Sequence, residues 1–338
     1  MMPGLLLFAL AVAGYGLMQA SPPFLIYVIF GIAGFIGGVQ TPVPYSAVVA
    51  QWFDRQRGIA LGIATAGVGL GVAIIPQLAS YLIDRFGWRH AYFGLAIAVV
   101  IVAWLPVSLF LREPARLEHE AARRAGMART QALPGTQAAD ALKSRRFWTL
   151  AAAFFLAVMA INGTLTHVVA LLTDQGVSSR AASRALSLAG LAIIFGRVFS
   201  GWCLDRYWGP YVATCFFMVP MVGIAILGSG AVGGTPLIGA VLCGMGIGAE
   251  IDLMAFFISR YFGLKAYATI YGMMFALFSI GTGLGPALSG RSFDMFHSYR
   301  PIFVVYEMAL AIACLLFFRL GPYSYPAPGR TMPHLGNT

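Results

Sequence analysis

The feature that most constrains the fold of this chain is a series of ten long apolar segments. They lie at about residues 4–20, 24–50, 58–83, 90–111, 147–173, 184–204, 210–231, 234–259, 266–290 and 301–320. A helix needs about 20 apolar residues to cross a bilayer. The segments are continuously apolar, whereas the strands of a membrane β-barrel alternate apolar and polar residues. The sequence therefore predicts an all-α integral membrane protein with ten transmembrane helices, embedded in a lipid bilayer.

The composition supports a membrane protein and argues against several other classes. The chain is 59% hydrophobic and 10% charged, whereas a soluble domain carries about 25% charged residues. The four cysteines lie in or beside apolar segments, without a CxxC pair or a histidine cluster. We therefore predict no disulfide framework, no metal site and no cofactor. The sequence also lacks a nucleophile elbow and paired carboxylates outside the bilayer, so we do not expect an enzyme.

The distribution of basic residues predicts the orientation of the chain. If both termini are cytoplasmic, 15 of the 22 Lys and Arg residues fall in cytoplasmic connections and 6 in outer ones. The remaining one, Arg197, lies inside an apolar segment. Basic residues concentrate on the cytoplasmic side of membrane proteins. We expect a multi-pass protein of the inner (plasma) membrane, and the net charge of +10 needs no nucleic-acid partner to explain it.

The longest polar stretch divides the chain into two halves. Residues 112–146 contain two prolines and much of the basic charge, and we interpret them as a cytoplasmic linker. The first half is then 1–111 and the second half 147–320. Residues 321–338 form a tail rich in Pro and Gly, which we expect to be disordered.

An internal repeat relates the two halves at an offset of 210 residues. Parallel repeats of helix bundles are typical of secondary transporters. Four apolar segments precede the second copy within its half, but two precede the first. The imbalance predicts that two further helices lie upstream of a misassigned start. The matched pairs include Gly62 with Gly272, Ala66 with Ala276, Gly71 with Gly281, Pro76 with Pro286, Asp84 with Asp294 and Phe93 with Phe303.

Three stretches carry a resemblance to a known family. They are QWFDRQRGIALGIATAGVGLG followed by LIDRFGWRHAYF; GRVFSGWCLDR; and AEIDLMAFFISRYFGLKAYATIYG followed by GTGLGPALSGRSFD. The chain resembles the major facilitator superfamily, and within it the oxalate/formate antiporter and monocarboxylate transporter group. The resemblance implies a helical bundle of two six-helix halves, here covering helices three to twelve, and a monomer.

Three charged residues lie inside predicted helices of the second half. Counted from the cytoplasmic ends at Arg206 and Arg260, Arg197 lies about 13 Å deep, Glu250 about 15 Å and Asp252 about 12 Å. Charged residues at such depths usually face an aqueous cavity or a partner. Arg197 is suited to bind a substrate carboxylate through its planar fork, and Glu250 or Asp252 to take up a coupled proton. The alternative is a structural Arg–acid pair that joins helices.

The resemblance supports a binding role for Arg197, because a basic residue on the eighth helix binds the anion in related carriers. Oxalate exchangers carry a second cation on the eleventh helix. The corresponding segment, 266–290, has no Lys or Arg. The resemblance therefore implies a monoanion as substrate.

Further candidate residues are polar groups in predicted helices and charged groups in predicted loops. Glu307 on the last helix is interpreted as structural. Each polar candidate has a structural alternative in hydrogen bonding between helices, and each loop charge has an alternative as a solvated topology signal. The substrate-binding candidates are Gln40, Tyr45, Gln77, Asn162 and His167. The cytoplasmic gating candidates are Asp54, Arg55, Arg57, Asp205 and Arg206.

Together these features predict a secondary active transporter of a small organic anion that works by alternating access. Its coupling partner is a proton, in symport, or a counter-anion, in exchange. The alternative is a truncated non-transporting or sensor-like membrane protein of the same fold.

Overall fold

The structure is a computed structural model that describes residues 2–18, 23–37, 41–53, 56–110, 134–230 and 234–325. All regular elements in these ranges are helices, apart from one isolated β-bridge. They are α1 (Met2–Gly16), α2 (Pro23–Gly37), α3 (Pro42–Trp52), α4 (Arg57–Thr65), α5 (Gly67–Ala98), a π-helical segment (Val99–Trp104), α6 (Leu105–Phe110), α7 (Ala138–Lys143), α8 (Arg145–Thr166), α9 (Val168–Asp174), α10 (Ser179–Leu204), α11 (Gly209–Gly228), α12 (Thr235–Tyr261), α13 (Tyr267–Phe296) and α14 (Arg300–Phe318).

Within the described ranges, seven helical stretches are long and apolar enough to cross a membrane. Two shorter apolar helices cover Pro3–Gly16 and Arg57–Gly71. The prediction of an all-α membrane protein is confirmed, whereas the number of ten spans stays a prediction. The seven stretches are Tyr81–Leu109, Arg145–Thr166, Arg184–Arg206, Gly209–Gly228, Thr235–Tyr261, Tyr267–Phe296 and Arg300–Phe318.

Two of the predicted spans are not single helices. The segment 24–50 contains α2 and α3. The segment 147–173 is interrupted at His167, whose backbone (φ −101°, ψ 5°) leaves the helical region between α8 and α9. Apolar composition alone does not show such interruptions, because the residues on both sides remain apolar.

A connection predicted between residues 83 and 90 takes the form of a kink inside α5. Gly87 lies there with φ 78° and ψ 161°, a conformation that side chains with a Cβ rarely adopt. The glycine therefore separates the two predicted spans without a long loop.

The chain forms two compact units, and the first contains Met1–Val48 and Gly71–Thr130. In this unit α1 packs against α2 and against the π-helical segment. The ring of Tyr15 lies 5.3 Å from that of Tyr92. Arg89 stacks on the Trp88 ring at 4.3 Å and donates a hydrogen bond to the Met18 carbonyl at 3.3 Å. These contacts join the end of α1 to the second part of α5.

The second unit contains Val49–Leu70 and Gln131–Thr338, and α12 lies at its centre. α12 packs against α4, α8, α10 and α11. Glycines line its contact with α10: a Cβ at Gly244 would meet the Ala189 carbonyl, and one at Gly248 the Ile193 carbonyl. Small residues let membrane helices approach until their backbones touch. This close approach buries the polar side chains that α12 carries.

A buried hydrogen-bond network joins α8, α13 and α14 in the second unit. The Ser289 hydroxyl donates to the Gly163 carbonyl at 2.9 Å and lies 2.7 Å from the Tyr306 hydroxyl. Tyr306 donates to the Gly285 carbonyl at 2.6 Å. Gly163 is therefore a packing position inside α8.

One end of the second unit, here called the linker end, gathers residues that precede α7 and follow α14. Thr136 donates its amide to the Phe262 carbonyl at 2.8 Å, and the Leu264 amide donates to Pro134 at 2.8 Å. The Tyr325 amide donates to the Arg260 carbonyl at 2.9 Å. The expected disorder of the tail is therefore wrong for residues 321–325. Both chain segments hold the C-terminal end of α12.

The close packing of α10 and α12 predicts that Gly244→Ala destabilises the protein. Its new Cβ must displace the Ala189 backbone, and overpacking of this kind costs about 1–3 kcal/mol. The matched control is Gly283→Ala on α13, where an added Cβ has no atom within 4 Å. Thermal unfolding in detergent should give a lower Tm for Gly244→Ala than for Gly283→Ala. Equal Tm values would contradict the packing described for α10 and α12.

Candidate functional site

The candidate site lies where α4, α10 and α12 meet around Arg197. A Cβ at Gly62 of α4 would meet the Arg197 carbonyl, and a Cβ at Gly248 of α12 would lie 3.0 Å from the Arg197 amide. Two neighbouring helices therefore approach the backbone of α10 at the residue that carries the charge. As a result the Arg197 side chain is almost completely enclosed, with 1% of its surface exposed.

Arg197 faces an acidic residue from α12. Its Nη1 lies 3.6 Å from Oδ1 of Asp252, which is an ion pair but longer than an ordinary hydrogen bond. The same Oδ1 accepts a hydrogen bond of 2.6 Å from the Thr65 hydroxyl on α4. Glu250, two residues earlier on α12, also interacts electrostatically with Arg197. The structure therefore brings together the three charged residues that the sequence placed at similar depths.

The cluster has more polar atoms than hydrogen bonds. In the part of the chain that the structure describes, Arg197 Nε, Arg197 Nη1, Glu250 Oε1 and Asp252 Oδ2 are buried without a hydrogen-bond partner. Both acidic residues are at most 1% exposed. Buried polar groups are normally hydrogen-bonded, so four unpartnered atoms in one cluster are unusual.

Two tyrosines of α13 border the cluster on α12. The Tyr267 hydroxyl donates to the Ala255 carbonyl at 3.1 Å, and the Tyr271 hydroxyl to the Ile251 carbonyl at 3.4 Å. Tyr267 also interacts electrostatically with Asp252 and with Arg57. These rings fix α13 against the part of α12 that carries the acids.

The predicted gating residues that the structure describes lie at the linker end. Asp205, directly after α10, accepts hydrogen bonds of 2.8 Å from the amides of both Gly58 and Ile59. A carboxylate in this position satisfies the free amides of the first turn of α4 and complements the helix dipole. Asp205 therefore fastens the start of α4 to the end of α10.

The two described arginines of this group have different environments. Arg57 is buried and donates to the carbonyls of Phe53 at 2.9 Å and Ala50 at 3.0 Å, near the end of α3. Arg206 is exposed and stacks over the Trp202 ring at 4.2 Å. Arg57 thus joins α3 to α4, whereas Arg206 stays on the surface of α10.

The polar candidates of α8 lie apart from the Arg197 contacts. Asn162 is partly exposed on α8. The His167 ring lies 5.5 Å from the Tyr299 ring, and its Nδ1 is buried without a hydrogen-bond partner among the described residues. Burial raises the pKa of Tyr299, and the charges of Asp174 and Asp294 raise it further. The structure therefore places His167 at the interruption between α8 and α9, beside the connection from α13 to α14.

The remaining predicted residues are placed as follows. Tyr45 lies half-buried in α3, in the first unit. Gln40, Asp54 and Arg55 lie outside the described residues, as does the side chain of Gln77. Their roles stay predictions.

The structure adds two features that the sequence did not indicate. Thr65 contacts Asp252 although 187 positions separate them, so no local pattern reveals the pair. Glu307, interpreted from the sequence as structural, is half-buried and contacts the backbone of Ala225 on α11, while its Oε1 has no hydrogen-bond partner in the described chain.

Comparison with known proteins agrees with this architecture. The family model of the Major Facilitator Superfamily matches residues 1–286. Mouse monocarboxylate transporter 11 is 25% identical over 324 residues, covering 91% of this chain and 67% of the relative. Bovine monocarboxylate transporter 13 is 27% identical over 282 residues, covering 83% and 64%. The chain thus spans about two thirds of the length of these relatives.

A solved structure supports the same fold. The human organic anion transporter MFSD10 superposes with a TM-score of 0.67 at 17% identity, covering 94% of this chain and 76% of that one. The predicted superfamily is therefore confirmed. The chain belongs to the Major Facilitator Superfamily and is a multi-pass membrane protein.

Proposed function

We propose that the chain carries a small organic monoanion of the monocarboxylate type across the membrane by alternating access. The observation that carries this proposal is the unpartnered state of the charge cluster around Arg197, in which two guanidinium nitrogens and two carboxylate oxygens lack hydrogen bonds. A substrate carboxylate can accept hydrogen bonds from the guanidinium group. Such a substrate supplies what the cluster lacks.

The alternative, a purely structural ion pair, fits the geometry less well. A buried pair offsets the cost of desolvation only when its geometry is good and its remaining polar atoms are hydrogen-bonded. Arg197 and Asp252 stand 3.6 Å apart and both keep unpartnered atoms. The pair is therefore better suited to exchange partners than to hold helices together.

The charges of the cluster suggest how transport is coupled. Arg197, Glu250 and Asp252 would together carry a charge of −1 if all were ionised, which is costly inside a bilayer. One proton on an acid makes the empty site neutral. Glu250 is the better holder of this proton, because Asp252 has both Arg197 and Thr65 as partners. A bound monoanion then requires a second proton, taken up by Asp252, and the loaded site is again neutral.

This scheme corresponds to proton symport with one proton for each monoanion. Anion exchange needs no net change of protonation, because one anion replaces another on Arg197. The similarity to monocarboxylate transporters supports a carboxylate substrate. We propose that both termini face the cytoplasm, because 15 of the 22 Lys and Arg residues then fall in cytoplasmic connections.

The linker end is the proposed cytoplasmic gate. The Asp205 carboxylate ties the start of α4 to α10, close to the level where a substrate leaves toward the cytoplasm. In this structure Arg197, Glu250 and Asp252 are enclosed by protein. Alternating access therefore requires α4, α10 and α12 to separate, and release of the Asp205 contact is a step that opens them.

The binding role of Arg197 predicts that Arg197→Gln abolishes anion uptake. Glutamine keeps a polar side chain but removes the positive charge. Proteoliposomes that contain purified protein should accumulate at least one of formate, acetate, lactate or pyruvate when an inward proton gradient is imposed. Arg184→Gln, an exposed arginine on the same helix, is the matched control and should transport like the wild type. Undiminished uptake by Arg197→Gln would overturn the proposed mechanism. Failure of the wild type with every anion would favour the non-transporting or sensor-like alternative.

The two acids should respond differently to neutralisation. Glu250→Gln mimics the protonated acid, so we expect it to keep uptake driven by a proton gradient. Asp252→Asn should lose gradient-driven uptake and keep exchange of internal for external anion, because Arg197 still binds the anion. Measurement of both activities in the same proteoliposomes separates the two roles. Loss of proton coupling in Glu250→Gln alone would reverse the assignment.

The gate contact predicts that Asp205→Ala loosens the start of α4. Two amides lose their acceptor, and loss of a helix cap costs about 0.5–2 kcal/mol. Hydrogen exchange measured by mass spectrometry should be faster in the peptide that covers residues 57–61. Asp294→Ala, which removes an exposed carboxylate from α13, serves as control. Unchanged exchange in Asp205→Ala would show that the contact does not hold the helix.

A further inference from the structure

We infer that Thr65 is a positioning residue that holds Asp252 away from Arg197 and so keeps the guanidinium available to an anionic substrate. The inference rests on the proposed function of Arg197. It assigns to α4, a helix from the first half of the sequence, a direct part in the selection of ligand by α10 and α12.

The contacts at Asp252 show how this positioning works. Its Oδ1 is 2.6 Å from the Thr65 hydroxyl but 3.6 Å from Arg197 Nη1. The shorter contact is thus the one to the neutral hydroxyl, although the arginine carries the opposite charge. An unrestrained carboxylate would form two parallel hydrogen bonds with the guanidinium. The hydrogen bond from Thr65 holds the Asp252 carboxylate away from this two-bond arrangement with Arg197.

Thr65 is itself fixed in place. It is 7% exposed at the end of α4, and its hydroxyl also lies 2.8 Å from the Leu61 carbonyl one turn earlier. Gly62, between these two residues, packs on the Arg197 carbonyl. The same turn of α4 therefore supports the backbone of Arg197 and restrains its acidic partner.

The hydroxyl can serve both protonation states of Asp252. A hydroxyl donates one proton and also accepts. When Asp252 is ionised, Thr65 donates to its Oδ1. When Asp252 is protonated, its O–H can donate to Thr65, and the Thr65 proton turns to the Leu61 carbonyl, which is already within 2.8 Å. Thr65 thus keeps Asp252 in one place while Arg197 exchanges its partner.

The other charged and titratable groups around Asp252 do not replace this contact. Arg197 approaches from α10, and Glu250 lies on α12 itself. Tyr267 approaches from α13, and its hydroxyl donates a hydrogen bond to the Ala255 carbonyl. Arg57, on α4, interacts electrostatically with Tyr267. Among the described contacts of the Asp252 carboxylate, the hydrogen bond from Thr65 is the shortest.

The test compares Thr65→Val with Thr65→Ser in anion uptake by proteoliposomes, using the best-transported anion among formate, acetate, lactate and pyruvate. Valine keeps the shape of threonine and removes the hydroxyl, so Asp252 is free to close on Arg197 and compete with the substrate. We expect the KM of Thr65→Val to rise about tenfold, the effect of one hydrogen bond to a charged group, with little change in kcat. Serine restores the hydroxyl and should restore the KM.

Two controls separate positioning from a structural effect. Thr164→Val removes a fully buried hydroxyl that donates to the Ala160 carbonyl at 2.9 Å within α8, and it should leave the KM unchanged. In an Asp252→Asn background, assayed by anion exchange, Thr65→Val should no longer raise the KM, because the neutral amide is not drawn to Arg197. If Thr65→Val is not recovered as folded protein, Thr65→Ala gives the same comparison without a second γ-methyl.

The outcomes distinguish this inference from the proposed function. Anion uptake that depends on Arg197, together with a KM for Thr65→Val equal to that of Thr164→Val, overturns the role of Thr65 and leaves the proposed function intact. An equal rise in KM in the Asp252→Asn background also overturns it, since the effect would not pass through Asp252. Absence of uptake by the wild type for all four anions overturns both.

Discussion

The burial of a guanidinium inside a membrane helix is the constraint on which the rest of this structure depends. A charge at this depth costs about 2.5–3.5 kcal/mol on insertion scales and needs compensation nearby. Here compensation comes from Asp252 on α12, and it is within reach because Gly62 and Gly248 let two helices approach the backbone of Arg197. The glycines are therefore needed to bring the acidic partner close to the buried arginine.

The arrangement is incomplete in a way that indicates function. The network of Ser289, Tyr306 and two backbone carbonyls shows that this protein can satisfy buried polar groups fully between its helices. The cluster around Arg197 differs, because several of its polar atoms remain without partners in the described chain. A partly satisfied network costs stability, and proteins usually keep such a cost where a ligand completes the network.

Much of this could be predicted from the sequence. Apolar length and continuity predicted a helical membrane protein, and the motifs predicted its superfamily. Simple counting from Arg206 and Arg260 placed Arg197 and Asp252 at similar depths, because helices rise by a constant amount per residue. The interruption at His167 could not be predicted, since histidine is not a strong helix breaker.

Other features depend on contacts between distant parts of the chain. Thr65 lies in an apolar segment where a threonine is ordinary, and its contact with Asp252 exists only in the folded protein. The Pro- and Gly-rich composition after α14 indicated disorder, yet Tyr325 and Tyr323 are held at the linker end by the Arg260 carbonyl and the Gly209 amide. Local composition does not predict such tertiary hydrogen bonds.

The most direct test of the central claim is an infrared difference spectrum of the purified protein with and without its transported anion. The account predicts that binding of the anion creates a protonated carboxylic acid, whose carbonyl band is absent in Asp252→Asn and present in Glu250→Gln. A spectrum without this band, or a band that persists in Asp252→Asn, would contradict the claim that Asp252 takes up a proton when the anion binds to Arg197.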